Sequence, residues 1–271
     1  MKKIFVLLTL VGVSTMFATS CQADSSQKDS KATQPQPKNE IWYTSKDGTI
    51  VEPSQVVKRY ISSVFGANIV SNTYQDGKGV IVFDGVVKYI GGLAFQENRN
   101  LTSISIPEGV TKIMKSSFYN CTSLSSVTIP RGVFEIEERA FYNCTNLTSI
   151  IIPNSVYRIG ERAFANCTSL TSIALPDPAS YSMLSLGERA FFNCKSLTSI
   201  YCKSPNPPRI DGGNAFEGVS SDCKLYVQPE SVEKYKKTAG WKRFYSTTIG
   251  YDFPRDYYDK ATNRIKGYNN N

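Results

Sequence analysis

Residues 141–153 read FYNCTNLTSIIIP, a polar run around Cys144 followed by an aliphatic run that stops at Pro153. The same order of residue types recurs before and after it. Aligned on phenylalanine, the chain gives Phe95, Phe118, Phe141, Phe164, Phe191 and Phe216, at intervals of 23, 23, 23, 27 and 25. Leu101, Leu124, Leu147, Leu170 and Leu197 keep the same spacing, as do Pro107, Pro130, Pro153 and Pro176. Three registers that agree define a repeat, and a period in this range means a stacked architecture in which no unit buries its apolar side alone.

Within one unit the parts have separate tasks. In LTSIIIP, Ile150 and Ile152 fall on the same side of a short strand, because side chains alternate along extended chain. Pro153 ends the strand, Val156 and Ile159 turn inward on the return segment, and Ala163 with Phe164 closes the coil. Stacking then aligns Ile104, Val127, Ile150, Ile173 and Ile200 in one ladder, and Ile106, Ile129, Ile152, Leu175 and Cys202 in the next. The expected fold is an α/β repeat: a right-handed solenoid with short parallel strands in one sheet and non-repeat caps at both ends.

NCTSL, NCTNL, NCTSL and NCKSL, followed by runs of the IxI type (VTI, III, IAL and IYC) and preceded by AF or SF, resemble the BspA-type leucine-rich repeat, also called the Treponema pallidum type. The flanks EIWYTSKDGTIV and CKLYVQPESVEKYKKTAGWKRF resemble end segments of Bacteroides members. The resemblance implies a surface protein, with adhesion or contact with a host or neighbouring cell as the expected role.

The repeats are expected over 87–202, between an N-terminal cap at 40–86 and a C-terminal cap at 203–245. Ile81 and Phe83 align with Ile104 and Ile106, so GVIVFDG reads as a degenerate first coil. Val232, Tyr235 and Lys236 have helical spacing after Ser231 as N-cap, with Gly240 near the stop and Trp241 packed on the last coil. Residues 246–271 receive no assigned structure.

The first residues bear on compartment. Lys2 and Lys3, the apolar run Ile4 to Val13 and a small polar stretch to Ser20 form a secretory signal, 1–20. FATSC at 17–21 is similar to a bacterial lipobox, with Ala18 where such boxes usually carry Leu, which makes Cys21 the expected lipidated residue. Residues 21–39 are rich in Ser, Gln, Lys and Pro and read as a tether, reaching at most ~60 Å. The expected location is the outer membrane, with the domain at the cell surface. The alternatives are the periplasmic side or secretion.

Composition narrows the chemistry. The chain of 271 residues carries a formal charge of +8 and no histidine. Losing Lys2 and Lys3 with the signal lowers the charge to +6, scattered without a basic block, so nucleic acid is not an expected partner. Without histidine the Ser/His/Asp and Cys/His constellations are excluded. Phosphate-loop and dinucleotide motifs do not occur. Glu137 and Glu138 read as solvated turn carboxylates. No catalytic residue, cofactor or metal is expected, and the protein is read as a non-enzymatic monomer.

The repeated thiols and amides read as structure. Cys121, Cys144, Cys167 and Cys194 are strung one per coil, whereas zinc requires four ligands converging on one point. They are expected to be buried small hydrophobes. Asn120, Asn143 and Asn166 stand in NCT, a glycan-acceptor pattern, but Asn193 in NCK keeps the amide and loses the acceptor, which favours a stacked turn. Cys202 and Cys223 at the C-terminal end are either free or bridged.

Two candidate contact regions remain. The outward strand positions are Ser103, Ser105, Ser126, Thr128, Ser149, Ile151, Ser172, Ala174, Ser199 and Tyr201, a flat and weakly polar face suited to a protein or glycan. The second is the four-residue insertion near DPASYSML, where Tyr181 and Met183 are the partner-binding candidates. A competing reading puts Met183 in the core at the place of Val156. Overall the sequence points to a surface lipoprotein that binds a protein or glycan, or alternatively to a structural component of the envelope facing the periplasm.

Overall fold

The computed structural model describes residues 35–54, 64–178 and 183–253. Strands at the N-terminal end are β1 (Glu40–Ser45), β2 (Ile69–Gln75) and β3 (Lys78–Phe83). The coils then alternate a two-residue return strand with a longer one: β4 (Tyr89–Ile90), β5 (Leu101–Ser105), β6 (Lys112–Ile113), β7 (Ser126–Thr128), β8 (Glu135–Ile136), β9 (Ser149–Ile151), β10 (Arg158–Ile159), β11 (Ser172–Leu175), β12 (Ser185–Leu186), β13 (Ser199–Cys202) and β14 (Arg209–Ile210). The C-terminal cap adds β15 (Lys224–Val227), the helix α1 (Val232–Lys237) and β16 (Thr248–Gly250).

The stacking register matches the repeat alignment. The return strands run parallel in the order β4-β6-β8-β10-β12-β14. The longer strands pair in parallel as β5–β7 and as β9–β11–β13–β15–β16. Ile104 lies opposite Val127, and Ile173 lies opposite both Ile150 and Ile200. Leu147, Ile150 and Ile152 are buried in one core with Leu124 and Leu170.

The third side of each coil holds no helix; it is a run of tight turns. Two residues per coil take left-handed φ: Ser116 and Asn120, Arg139 and Asn143, Arg162 and Asn166, Arg189 and Asn193, with φ between 51° and 60°. This turns their N–H groups along the stack. Asn143 N donates to Ala165 O at 2.8 Å, Phe141 N to Ala163 O at 2.7 Å and Arg139 N to Glu161 O at 2.9 Å, each carbonyl belonging to the next coil. Buried backbone groups must be paired, and here the following coil pairs them. Asparagine suits the position because its short amide tolerates left-handed φ.

The core's spine is a column of rings. Phe95, Phe118, Phe141, Phe164, Phe191 and Phe216 stack with centroids 5.0 to 5.4 Å apart and planes within 7°. Parallel strands lie ~4.8 Å apart, so one ring per coil reaches offset-stacking distance without adjustment. The column is closed by Phe65 edge-on to Phe95 at one end and by Phe244 edge-on to Phe216 at the other.

The N-terminal end departs from the degenerate-coil reading. β1 pairs antiparallel with β5 and with β3, and β3 pairs antiparallel with β2, giving the order β2-β3-β1-β5. Ile81 and Phe83 are buried as expected, but on a hairpin strand lying two strands away from Ile104. Asp76 and Gly77, with φ of 49° and 75°, make the two-residue turn with both central residues left-handed that matches strand twist. The solenoid's first sheet edge is thus covered by β1, and the return-strand ladder begins at Tyr89.

At the other end Tyr235 and Trp241 are fully buried, and Trp241 Nε1 donates to Pro208 O at 2.8 Å. Ser231 is at the helix N-cap but makes no capping bond; its hydroxyl donates to Pro205 O at 3.3 Å instead. α1 is capped by Thr238, whose N–H bonds Lys234 O and Tyr235 O, ahead of Gly240 with φ 81°. β16 carries the sheet past residue 245.

Candidate interaction surface

Outward positions of the longer strands form the surface in question, because every inward position is filled by the core. Ser126, Thr128 and Ile151 are exposed, Ile151 to 40%. Ser149, Ser172, Ala174 and Ser199 are half-buried between their ladder neighbours. The open centre of the face is therefore β7 to β11, with small side chains apart from Ile151.

At the N-terminal margin the cap occupies the face. Ser103 Oγ lies 2.6 Å from Thr44 Oγ1, and Ser105 Oγ donates to Gln36 Oε1 at 2.6 Å while Gln36 Nε2 donates to Ser105 O at 3.0 Å. Next to them on β1, Trp42 receives Lys78 Nζ 3.3 Å above its ring and donates its indole N–H to Glu40 at 2.7 Å. These two serines are thus committed to the cap.

Tyr201 requires a correction: it points to the outward side but is only 4% exposed. Its ring stacks on Tyr226 at 4.7 Å, and Tyr251 packs edge-on against both. Burial raises the Tyr201 phenol to about 12, which leaves it neutral at physiological pH. The C-terminal segment closes this end of the face, as the cap closes the other. Tyr226 was legible as outward, since Leu225 and Val227 flank it at strand spacing; Tyr251 carries no repeat signal.

The insertion is split between described and undescribed residues. Tyr181 lies outside the described residues, as do Cys21, the signal and all but the last residues of the tether. Met183 is 61% exposed and Leu184 is buried, so Leu184 fills the interior at this rung and the core reading of Met183 does not hold. Ser185 lies opposite Arg158 and its N bonds Tyr157 O, so buried Leu184 stands at the register place held by exposed Tyr157 in the coil before. On the same side Phe134 and Tyr157, each 37% exposed, stack at 6.4 Å.

The thiol ladder is buried throughout. Cys121, Cys144, Cys167 and Cys194 donate to the carbonyls of Phe95, Phe118, Phe141 and Phe164 at 3.0 to 3.3 Å. Burial pushes Cys121 and Cys194 up to about 12 and Cys144 and Cys167 well above the usual range. A thiol so shifted is a poor nucleophile and metal ligand, since both roles need the thiolate.

Cys202 and Cys223 are free. Lys224 lies opposite Ser199, which sets Cys223 beside Thr198, four residues before Cys202. At ~3.3 Å per residue that is ~13 Å along the strand, beyond the ~7 Å Cα reach of a disulfide. Cys202 instead accepts the Tyr235 hydroxyl at 3.1 Å.

The asparagine ladder behaves as a turn device. Asn143 Nδ2 donates to Asn120 Oδ1 at 2.9 Å. Gly218, with φ 78°, continues the left-handed position without an amide, and a Cβ there would lie 2.2 Å from Asn193 Oδ1 as that side chain now stands. The carboxylates read as solvated are engaged: Glu138 pairs with Lys115 at 2.8 Å and Arg139 at 3.0 Å, and Glu137 accepts Lys115 N. The hydrogen bond from Lys115 holds Glu138 below the usual carboxylate range.

Comparison with known proteins agrees with the repeat. Residues 88–222 match the family model for the BspA type leucine-rich repeat region, in 6 copies. No curated protein matches the chain. Among solved structures it is similar to a leucine-rich repeat protein of T. pallidum, at 30% identity over 53% of this chain and 64% of that one, with a TM-score of 0.45. A leucine-rich repeat protein from Bacteroides ovatus matches at 26% identity over 59% of this chain and 47% of that one, with a TM-score of 0.38. The pneumococcal vaccine antigen PcpA matches at 21% over 60% and 38%, with a TM-score of 0.47. The chain thus spans less than two thirds of the length of each.

Proposed function

Residues 88–222 belong to the BspA-type leucine-rich-repeat family, and from that premise we propose that the protein is a non-enzymatic, exported lipoprotein that binds a protein or glycan at the cell surface. The observation that carries the reading is the open centre of the sheet face, where Ser126, Thr128 and Ile151 stand exposed between margins closed by Gln36 at one end and Tyr251 at the other. A flat, rigid, small-side-chain surface fits an extended partner better than a small molecule, which needs a concavity. The stack holds that surface in place before contact, so little ordering entropy is lost on binding. Export and lipidation at Cys21 are supported by the basic and apolar N-terminus and FATSC.

The test combines location and surface. Immobilised protein is exposed to host and bacterial surface extracts beside the Thr128→Lys and Ile151→Lys variants. Capture that both variants abolish, with unfolding midpoints unchanged, supports the face as the binding site. Capture equal for all three removes it. Protease treatment of intact cells separates display outside from a role in the periplasm: resistance until the outer membrane is opened would favour an envelope component. Loss of lipid mass in Cys21→Ala, with release from the membrane, is the expected result for the anchor.

A further inference from the structure

Charge is segregated along the described residues. Residues 229–245, which close the C-terminal end of the stack, carry Lys234, Lys236, Lys237, Lys242 and Arg243 against Glu230 and Glu233. The other described residues hold sixteen Lys and Arg against seventeen Asp and Glu, so the net positive charge of the described chain sits in this cap. On the coils the cations are answered by carboxylates: Lys112 by Glu135, Lys115 by Glu138, Arg162 by Glu161 and Arg189 by Glu217, at 2.7 to 2.9 Å. On the cap only Lys236 has an acidic partner among the described residues, Glu233 at 3.4 Å.

The fold places these cations together. Tyr235, Trp241 and Phe244 are buried, with the Trp241 and Phe244 rings against Phe216 at 5.6 and 5.4 Å. With that side turned to the core, Lys234 and Lys237 of α1 and Lys242 and Arg243 of the following turn are left exposed at the end of the stack. Lys234 bonds Asn206 Oδ1, and Arg243 bonds the carbonyls of Phe216 and Val219. Those partners are neutral, so neither charge is cancelled. Unopposed like charges on one helix face repel, and a ligand bearing negative charges at intervals relieves that repulsion. Tyr245, 62% exposed, stands beside them with Lys236 Nζ 5.3 Å from its ring centre.

We propose that this end of the stack binds an acidic polysaccharide, at a site separate from the sheet face. Carboxylates repeated along such a polymer match cations spread over the cap, and complementary charge steers and orients a partner. Lysine ammonium groups hold carboxylates through charge-assisted hydrogen bonds, and the Tyr245 ring gives a sugar ring a flat apolar surface to lie on. An anionic bilayer fits less well, because a helix lying on a membrane needs an outward apolar face. Here Val232 and Tyr235 turn toward the core instead. Five ring spacings of 5.0 to 5.4 Å separate Phe95 from Phe216. The basic cap is therefore at the far end of the stack from Gln36, where the chain enters, and is open to a polymer approaching from that side.

Binding to immobilised polygalacturonate tests this, using the full chain with Cys21→Ala so that no detergent is needed. Lys237→Gln together with Lys242→Gln is expected to weaken binding about tenfold or more, equal to at least about 1.4 kcal/mol. Arg158→Gln together with Lys195→Gln removes the same charge from exposed coil positions and is expected to leave binding nearly unchanged. Unfolding midpoints of both pairs should match the parent. Lysine acetylation of the parent chain gives a second readout, with Lys237 and Lys242 becoming protected as polygalacturonate is added while Lys195 does not. No binding, equal loss in the two pairs, equal binding to neutral dextran, acetylation of Lys237 and Lys242 unaffected by the polymer, or binding to phosphatidylglycerol vesicles without binding to the polysaccharide would overturn the proposal.

Discussion

Removing one ring from the phenylalanine column should cost more than any other single change in a central coil. Phe141 is fully buried, with Phe118 at 5.0 Å on one side and Phe164 at 5.2 Å on the other. Truncation of a buried phenylalanine to alanine costs about 3–5 kcal/mol through lost transfer energy and the cavity left behind. Each stacked contact adds about 0.5–1.5 kcal/mol beyond burial, and Phe141 loses two, so Phe141→Ala belongs in the upper half of that range. The backbone cannot collapse into the gap, since Phe141 N is held by Ala163 O at 2.7 Å and the coils on either side keep their spacing. Phe141→Leu keeps much of the volume and gives up only the ring contacts and a small void, about 1–1.5 kcal/mol. Urea denaturation followed by circular dichroism measures both. Because each coil contacts only its neighbours, the alanine variant should also lose cooperativity, with hydrogen-exchange protection falling first in the coils flanking residue 141. A cost for Phe141→Ala below about 2 kcal/mol, or equal costs for alanine and leucine, would refute the idea that the column bears the stack's stability.

Ser117 offers a change of opposite sign: its buried hydroxyl has no hydrogen-bond partner, and the equivalent residues are Ala94, Ala140, Ala163, Ala190 and Ala215. Ser117→Ala should stabilise by about 1 kcal/mol in the same denaturation assay, and a loss of stability would mean the hydroxyl is satisfied. Asn143→Ala should cost about 1–2 kcal/mol, because alanine must adopt φ of 59° and the bond to Asn120 is lost, while Asn143→Gly recovers the backbone part. The Lys112–Glu135 pair at 2.7 Å depresses Glu135, chiefly through the hydrogen bond from Lys112, and raises Lys112. Its contribution, at most about 1 kcal/mol at this exposure, is present between the ordinary values of 4.5 and 10.5 and fades as pH falls through the lowered Glu135 value or rises through the raised Lys112 value. Glu135→Gln should therefore differ from the unaltered chain at neutral pH and converge with it in acid. Finally, the six described cysteines should resist a thiol reagent at pH 8 in the folded state and react together on unfolding; rapid labelling of Cys121 or Cys194 in native protein would contradict their burial.

The repeat was legible because stacking imposes the same chemical demand on every coil. A core ladder accepts only apolar residues, a strand end accepts proline, and a left-handed turn favours asparagine, so the alignment of Leu147, Pro153 and Asn143 with their equivalents carries the fold. What stacking does not constrain was read less well. Ile81 and Phe83 show the same alternation as Ile104 and Ile106, and alternation records only that one face is buried; it is blind to strand direction. Met183 and Leu184 are adjacent apolar residues after an insertion, and counting from the preceding coil does not say which one turns inward, because the insertion breaks the count there. Tyr201 was correctly placed on the outward side, but its cover comes from Tyr251, fifty residues on in a segment without a repeat.

These departures share a physical cause with the proposed contacts. In a stack, a side chain at a repeated position meets its own kind above and below, so its environment is set by the ladder, and a singular constellation of groups has no place to form there. Singular environments arise where the ladder stops or slips: at β1 and β2, where parallel pairing gives way to antiparallel and Asn72 binds Tyr43 and Val51; at the insertion, where Met183 is turned out; and at Tyr201, where Tyr226 and Tyr251 build an aromatic margin. Ile151 is the exception inside the stack, an apolar residue where Ser105, Thr128 and Ala174 stand in neighbouring coils. It breaks this row of small side chains at its most open point, so substitution there should change binding while leaving the fold intact, whereas substitution of Ile150, one residue away and turned inward, should change the fold first.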